Sequence, residues 1–180
     1  MRPVRLLLTP HPTTTRAAVS GIEVEVSRSV GGLLTLAYQV TGEIAGLRLP
    51  APAAPHRTDE LWKHSCFEAF IRPAAGEAYV EFNAAPSTQW AAYGFERTRA
   101  GMRNADIPPP RLETHATTDR FDLRAALDLR SLGAGPWRLN LSAVIEETGG
   151  PKSYWALAHP SAQPDFHHPD AFVLDLAEPA

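Results

Sequence analysis

The feature that most constrains this chain is its punctuation. Seventeen prolines and twelve glycines are spread over all 180 residues, cutting the chain into short segments. Proline cannot continue a helix and is tolerated only at the margins of a sheet, so short strands joined by turns are favoured over long helices. The segments carry the matching pattern. Ile22, Val24 and Val26 alternate with Glu23, Glu25 and Ser27, the period of a strand with one buried face. Gly31-Gly32 then makes a turn, and Leu34, Leu36, Tyr38 and Val40 return against Thr35 and Gln39. The two runs predict an antiparallel hairpin. Further strands are predicted at residues 6–9, 61–72, 77–84, 88–97, 111–118, 120–123, 137–147, 153–158 and 171–176, with one helical turn within 123–132. The proline runs at 50–55 and 108–110 are extended breaks. Many short strands at regular spacing indicate an all-β, antiparallel β-sandwich, and the length suits a single domain over 1–180.

Other totals narrow the function. At 44% hydrophobic residues the chain can bury a core by packing alone, as it must: Cys66 is the one cysteine, which excludes an intrachain disulfide and a cysteine-based zinc set. A net charge of −3 gives no electrostatic pull toward nucleic acid or an anionic membrane. The apolar run at residues 6–8 is far below the ~7–15 residues of a signal core, and nothing approaches the ~18 apolar residues of a membrane span. The chain therefore reads as cytoplasmic.

If 61–72 is one strand, Trp62, His64, Cys66, Glu68 and Phe70 share a face. Tyr79, Glu81 and Asn83 share a face on the next strand, and Asn140, Ser142 and Glu146 on the strand at 137–147. If these faces coincide, an aromatic ring stands beside carboxylates and amides. That is the equipment for gripping a sugar: the ring stacks on the apolar C–H face and planar polar groups take hydroxyls in pairs. The other reading is the solvated outer face of a sandwich, where Glu and Asn are ordinary; a tryptophan on such a face speaks for the site. Trp90 and Trp137 sit among alanines and leucines and read as core. Trp155, after Tyr154, is either a second stacking ring or core. The seven histidines form neither HxH nor HExxH, so no metal site is expected. Glu68 and Glu81 would serve a paired-carboxylate hydrolase, but their spacing marks neither as acid or base. A Gly-x-Ser-x-Gly elbow and a glycine-rich phosphate loop are both absent. A binding module, not an enzyme, is expected.

Three blocks add a family. Leu61-Trp62-Lys63-His64-Ser65-Cys66-Phe67-Glu68-Ala69-Phe70-Ile71 resembles a segment of the DOMON-like superfamily, in its branch close to carbohydrate-binding module family 9. So does the run from Glu81 to Phe95 with Arg99-Ala100-Gly101-Met102. The third block is Tyr154-Trp155-Ala156-Leu157, His159-Pro160, Pro164-Asp165-Phe166-His167 and Pro169-Asp170-Ala171-Phe172. The resemblance implies a β-sandwich with its ligand site on a sheet face. It implies a sugar clamped between two tryptophans with a carboxylate nearby, for which Trp62 with Glu68 fits and Trp155 is the candidate second ring. No arginine of the relatives' contact set is placed. Other superfamily members bind haem through methionine and histidine, which here would set Met102 against His64, His115 or His159. A structural calcium, held by many relatives, finds no dense Asp-x-Asp cluster here.

The expectation is a non-catalytic module for a small carbohydrate-like ligand, with Trp62, His64, Glu68, Glu81, Asn83 and Trp155 as site residues and no cofactor. A haem-binding module or a protein-interaction domain are the alternatives.

Overall fold

Alternation of apolar and polar residues builds twelve antiparallel strands in the computed structural model, which describes residues 3–178. The ends of the expected domain, residues 1–2 and 179–180, lie outside the described residues. The strands are β1 (Val4–Pro10), β2 (Val19–Arg28), β3 (Leu33–Gly42), β4 (Cys66–Pro73), β5 (Tyr79–Ala84), β6 (Trp90–Phe95), β7 (Arg103–Asn104), β8 (Arg111–Ala116), β9 (Arg120–Asp128), β10 (Trp137–Glu146), β11 (Lys152–Ala156) and β12 (Leu174–Leu176). One sheet runs β1-β2-β3-β9-β8. The other runs β7-β6-β5-β4-β10-β11, and β12 shares the β11 edge of β10. Strand β1 joins them: Val4 to Leu8 pair with β2, while Thr9 and Pro10 pair with β11. The fold is an all-β antiparallel sandwich.

The first sheet shows the one-sided burial that period 2 dictates. Ile22, Val24 and Val26 are buried and Glu23 and Glu25 only partly so; in β3 Leu34, Leu36, Tyr38 and Val40 are buried. Gly42 ends β3 at φ 146°, where an added Cβ would stand 2.0 Å from the Ala18 carbonyl oxygen, so only glycine closes that edge. Arg28, at the end of β2, is also buried: its guanidinium donates to the carbonyls of Gly133, Ala134 and Gly135 and lies over the Trp137 ring at 3.3 Å.

The second sheet is buried on both faces. Phe67, Ala69 and Ile71 of β4, Val80 and Phe82 of β5, and Leu139, Leu141 and Ala143 of β10 pack on the first sheet in the main core. The opposite face of β4, β5 and β6 carries Phe70, Tyr79, Tyr93 and Phe95, which pack with Phe166 and Phe172 of the segment 158–172 that folds over it. This cover makes a second, smaller apolar cluster.

Several sequence expectations change. Residues 61–72 are not one strand: Glu60 takes a left-handed φ of 65°, Leu61–Lys63 form a 3₁₀ turn, and the strand starts at Cys66. Trp62 and His64 therefore do not alternate with Cys66, Glu68 and Phe70. Strand β9 runs past residue 123 to Asp128, because Leu123, Ala125 and Leu127 keep strand period against β3, and the expected helical turn shrinks to Arg130–Leu132. Residues 171–176 begin at the end of a 3₁₀ turn, Pro169–Ala171, and only Leu174–Leu176 form β12. The hairpin of β2 and β3 and the hairpin of β8 and β9 have the expected partners. Among the described residues no helix is long and apolar enough to cross a membrane.

Candidate functional site

The covered face of the second sheet brings polar side chains into register. Glu68 of β4 stands opposite Asn83 of β5 on one side and Ser142 of β10 on the other. One row along, Phe70 lies between Glu81 and Asn140, and Glu81 pairs with Tyr93 of β6. Glu68 and Glu81 are thus diagonal neighbours on one face. Between this face and the cover is a cavity of about 400 Å³. Glu68, Phe70, Glu81 and Val144 make its floor, Tyr93, Phe95 and Tyr154 its walls, and Pro164, Phe166 and His167 its roof; Trp62, Arg99 and Met102 also line it.

The Trp62 segment is held from both sides. The Tyr93 hydroxyl donates to Asp59 at 2.6 Å, and the Lys152 ammonium donates to the Lys63 carbonyl. Burial, then the Asp59 hydrogen bond, push the Tyr93 hydroxyl well above its ordinary range, so it stays a donor. Trp62 is left 38% exposed and edge-on to Tyr93, ring centroids 6.1 Å apart. Arg99 takes a left-handed φ of 56° in the turn after β6, a backbone state uncommon outside glycine. Its guanidinium donates to Asp165 at 2.7 Å, tying that turn to the cover.

The floor is unusual in its hydrogen bonding. Glu68 is 3% exposed; its Oε2 accepts from the Ser142 hydroxyl at 3.5 Å, and its Oε1 is buried without a partner. Burial first, and the Glu81 charge second, hold its carboxyl well above the usual carboxylate range, against the pull of Ser142 and Cys66. Glu81 is raised by burial too, eased by Asn83, which donates to Oε1 at 2.8 Å, and by Arg99. The other Glu81 oxygen lies 3.5 Å from Nε2 of His167. The Tyr79 hydroxyl is 2.7 Å from Nδ1 of His167 and accepts from the Arg99 backbone N–H at 3.2 Å. Burial, then the Arg99 charge, bring the His167 imidazole down to about 4, so it is neutral above that pH. The tautomer that satisfies all three groups has Nε2–H toward Glu81 and Nδ1 accepting from Tyr79.

The expected site residues divide. Trp62, Glu68 and Glu81 come together at the cavity. Asn83 is fully buried and positions Glu81. His64 is elsewhere: Nδ1 pairs with Glu146 at 2.7 Å beside Arg48, in a separate depression of about 530 Å³. There burial would raise Glu146, but the hydrogen bonds from His64 and Arg48 outweigh it and draw the carboxyl down. Trp155 is not a stacking ring. It is 1% exposed in the main core, its indole N–H donating to Ser153. The reason is strand period: its neighbour Tyr154 takes the cavity face, so Trp155 takes the other. Trp90 and Trp137 are core, as their surroundings suggested. Asn140 is buried and donates to the Phe166 carbonyl at 3.0 Å, anchoring the roof. Met102 lines the cavity, whereas His64, His115 and His159, the haem partners considered for it, do not.

Sequence reasoning missed Tyr93, Phe95, Arg99, Tyr154, Phe166 and His167. Tyr93 and Phe95 alternate in a way that was legible; Arg99, Phe166 and His167 sit in irregular segments whose path no periodicity gives. Among the described residues, no group of three or more His, Cys, Asp or Glu side chains is placed to hold a metal ion.

No family model matches the chain, and no curated protein matches it. Among solved structures, a proposed carbohydrate-binding protein from Bacteroides uniformis superposes with a TM-score of 0.70 over 94% of this chain and 84% of its own, at 14% identity. That likeness is one of fold.

Proposed function

We propose that the chain is a non-catalytic binding module that takes a sugar or sugar-like molecule in the cavity over Glu68. The observation that carries this reading is the aromatic-walled cavity of about 400 Å³ whose lining brings Trp62 beside the buried carboxyls of Glu68 and Glu81, with one Glu68 oxygen left without a partner. A buried acceptor left without a partner costs about 1–3 kcal/mol, and a ligand donor that reaches the Glu68 carboxyl removes that cost. Trp62 at the cavity offers a flat apolar surface for the C–H face of a pyranose. The carbohydrate-binding role proposed for the Bacteroides protein of the same fold supports the reading, as does the resemblance to the branch of the DOMON-like superfamily near carbohydrate-binding module family 9.

The test is intrinsic tryptophan fluorescence during titration with mono- and oligosaccharides and sugar phosphates. The expected result is a saturable change that Trp62→Ala abolishes while the variant stays folded. Silence across the panel, or undiminished affinity in Trp62→Ala, overturns the reading.

A further inference from the structure

The cavity is lopsided in charge. Two carboxyl groups lie on its floor, and its sides are mostly aromatic. The one lysine or arginine among the lining residues, Arg99, has a side chain 58% exposed and is matched by Asp165 at 2.7 Å. Arg99 eases Glu81, but the groups acting on Glu68 are Glu81, Ser142 and Cys66, none of them a cation. His167, close to Glu81, is neutral above about 4. The Glu68 carboxyl therefore lies at a space with acidic and aromatic lining, where the one arginine, Arg99, is already engaged by Asp165.

A neutral sugar can offer this floor only hydroxyl donors, so Glu68 keeps its proton and the floor gains no charge partner. An ammonium offers three donors and a full charge in a small volume, and aromatic rings around a desolvated cation add attraction. Building on the sugar-binding reading, we propose that the preferred ligand carries a free, protonated amine: an amino sugar whose ammonium sits on Glu68 and Glu81 and whose ring lies toward Trp62. Binding then has a signature in protons. In the free protein, burial and the Glu81 charge favour the protonated form of Glu68. Its neighbours Tyr38, whose hydroxyl donates to the Glu68 carbonyl at 2.6 Å, and Cys66 are both pushed up and keep their protons. The arriving ammonium leaves the floor carboxyls as the groups that give a proton up.

Isothermal titration calorimetry of the whole chain tests this, with D-glucosamine, N-acetyl-D-glucosamine, D-glucose and the sugar-free amine cyclohexylammonium. Each titration is run in two buffers of different ionisation enthalpy at one mildly acidic pH. The expected result is that glucosamine binds about tenfold to a hundredfold tighter than the two neutral sugars, the difference a charged hydrogen bond supplies. Its apparent enthalpy depends on the buffer, as proton release requires. Glu68→Gln keeps the shape and removes the preference; Glu81→Gln is the second variant should the first fail to fold. Equal affinity for glucosamine and glucose overturns the amine inference and leaves sugar binding standing. Cyclohexylammonium binding as tightly as glucosamine, with no response to neutral sugars, supports the cation site and overturns the sugar. No response to either amine overturns the inference, and so does a preference that survives in both variants.

Discussion

The Tyr79 hydroxyl lies 2.7 Å from Nδ1 of His167, while Nε2 of the same ring lies 3.5 Å from Glu81. A roof residue thereby meets strand β5 through both ring nitrogens, and the Tyr79 hydroxyl can donate to Nδ1 only while the ring is neutral. His167 falls to about 4 in the folded chain, by burial and then by the Arg99 charge, against an ordinary value of about 6.5. The unfolded chain takes up this proton first, so the contribution is full above about 6.5 and is lost as pH falls toward 4. Its size is at most about 3 kcal/mol. We expect His167→Gln to narrow the stability difference between those pH values, measured as the urea midpoint against pH. An unchanged pH profile in the variant contradicts the assignment.

The four tryptophans separate by burial. Trp155→Ala removes a core ring and should cost about 3–5 kcal/mol. Trp62→Ala removes a partly exposed ring and should cost about 1 kcal/mol or less, with ligand binding lost. Denaturant unfolding of the two variants distinguishes them; similar losses contradict the placement of Trp62 at the cavity mouth.

This contrast shows what was legible in the chain. The sandwich was, because Ile22, Val24, Val26 and their partners declare one buried face by period alone. Glu68, Glu81 and Asn83 were placed on one face for the same reason. The period misled at 61–65, where the left-handed backbone of Glu60 and the 3₁₀ turn at Leu61–Lys63 break the alternation, sending His64 to Glu146 and leaving Trp62 over Tyr93. At Trp155 both readings, stacking ring and core, stood open, since Tyr154 and Trp155 must face opposite ways and the sequence does not say which face is covered. The roof was out of reach: Phe166 and His167 are brought over the sheet by contacts far apart in the chain, such as Asn140 to Phe166 and Arg99 to Asp165.

His64 supplies a negative control. It lines the separate depression and pairs with Glu146, so His64→Ala should leave affinity at the cavity within about twofold of the parent, as a residue outside the contact set does. A calorimetric titration checks it, and a large loss would reinstate His64 as a ligand contact.

Glu68 carries the opposite sign from His167. Its folded-state affinity for protons is raised, by burial first and by Glu81 second. The folded chain therefore holds the proton longer than the unfolded one. Stability from this group is full below the ordinary glutamate range and declines as pH rises toward the raised value. Glu68→Gln removes the decline, and we expect the variant to be at least as stable as the parent at neutral pH. A variant clearly less stable at neutral pH would show that the ionised carboxylate is satisfied after all.

The most direct test of the binding site reads the indole N–H signals of Trp62, Trp90, Trp137 and Trp155 in a ¹⁵N-labelled sample titrated with the sugar and amino-sugar panel. Binding over Glu68 moves the Trp62 signal saturably and leaves those of the core rings Trp137 and Trp155 in place. A Trp62 signal that stays still for every sugar, or a shift confined to Trp155, contradicts the site.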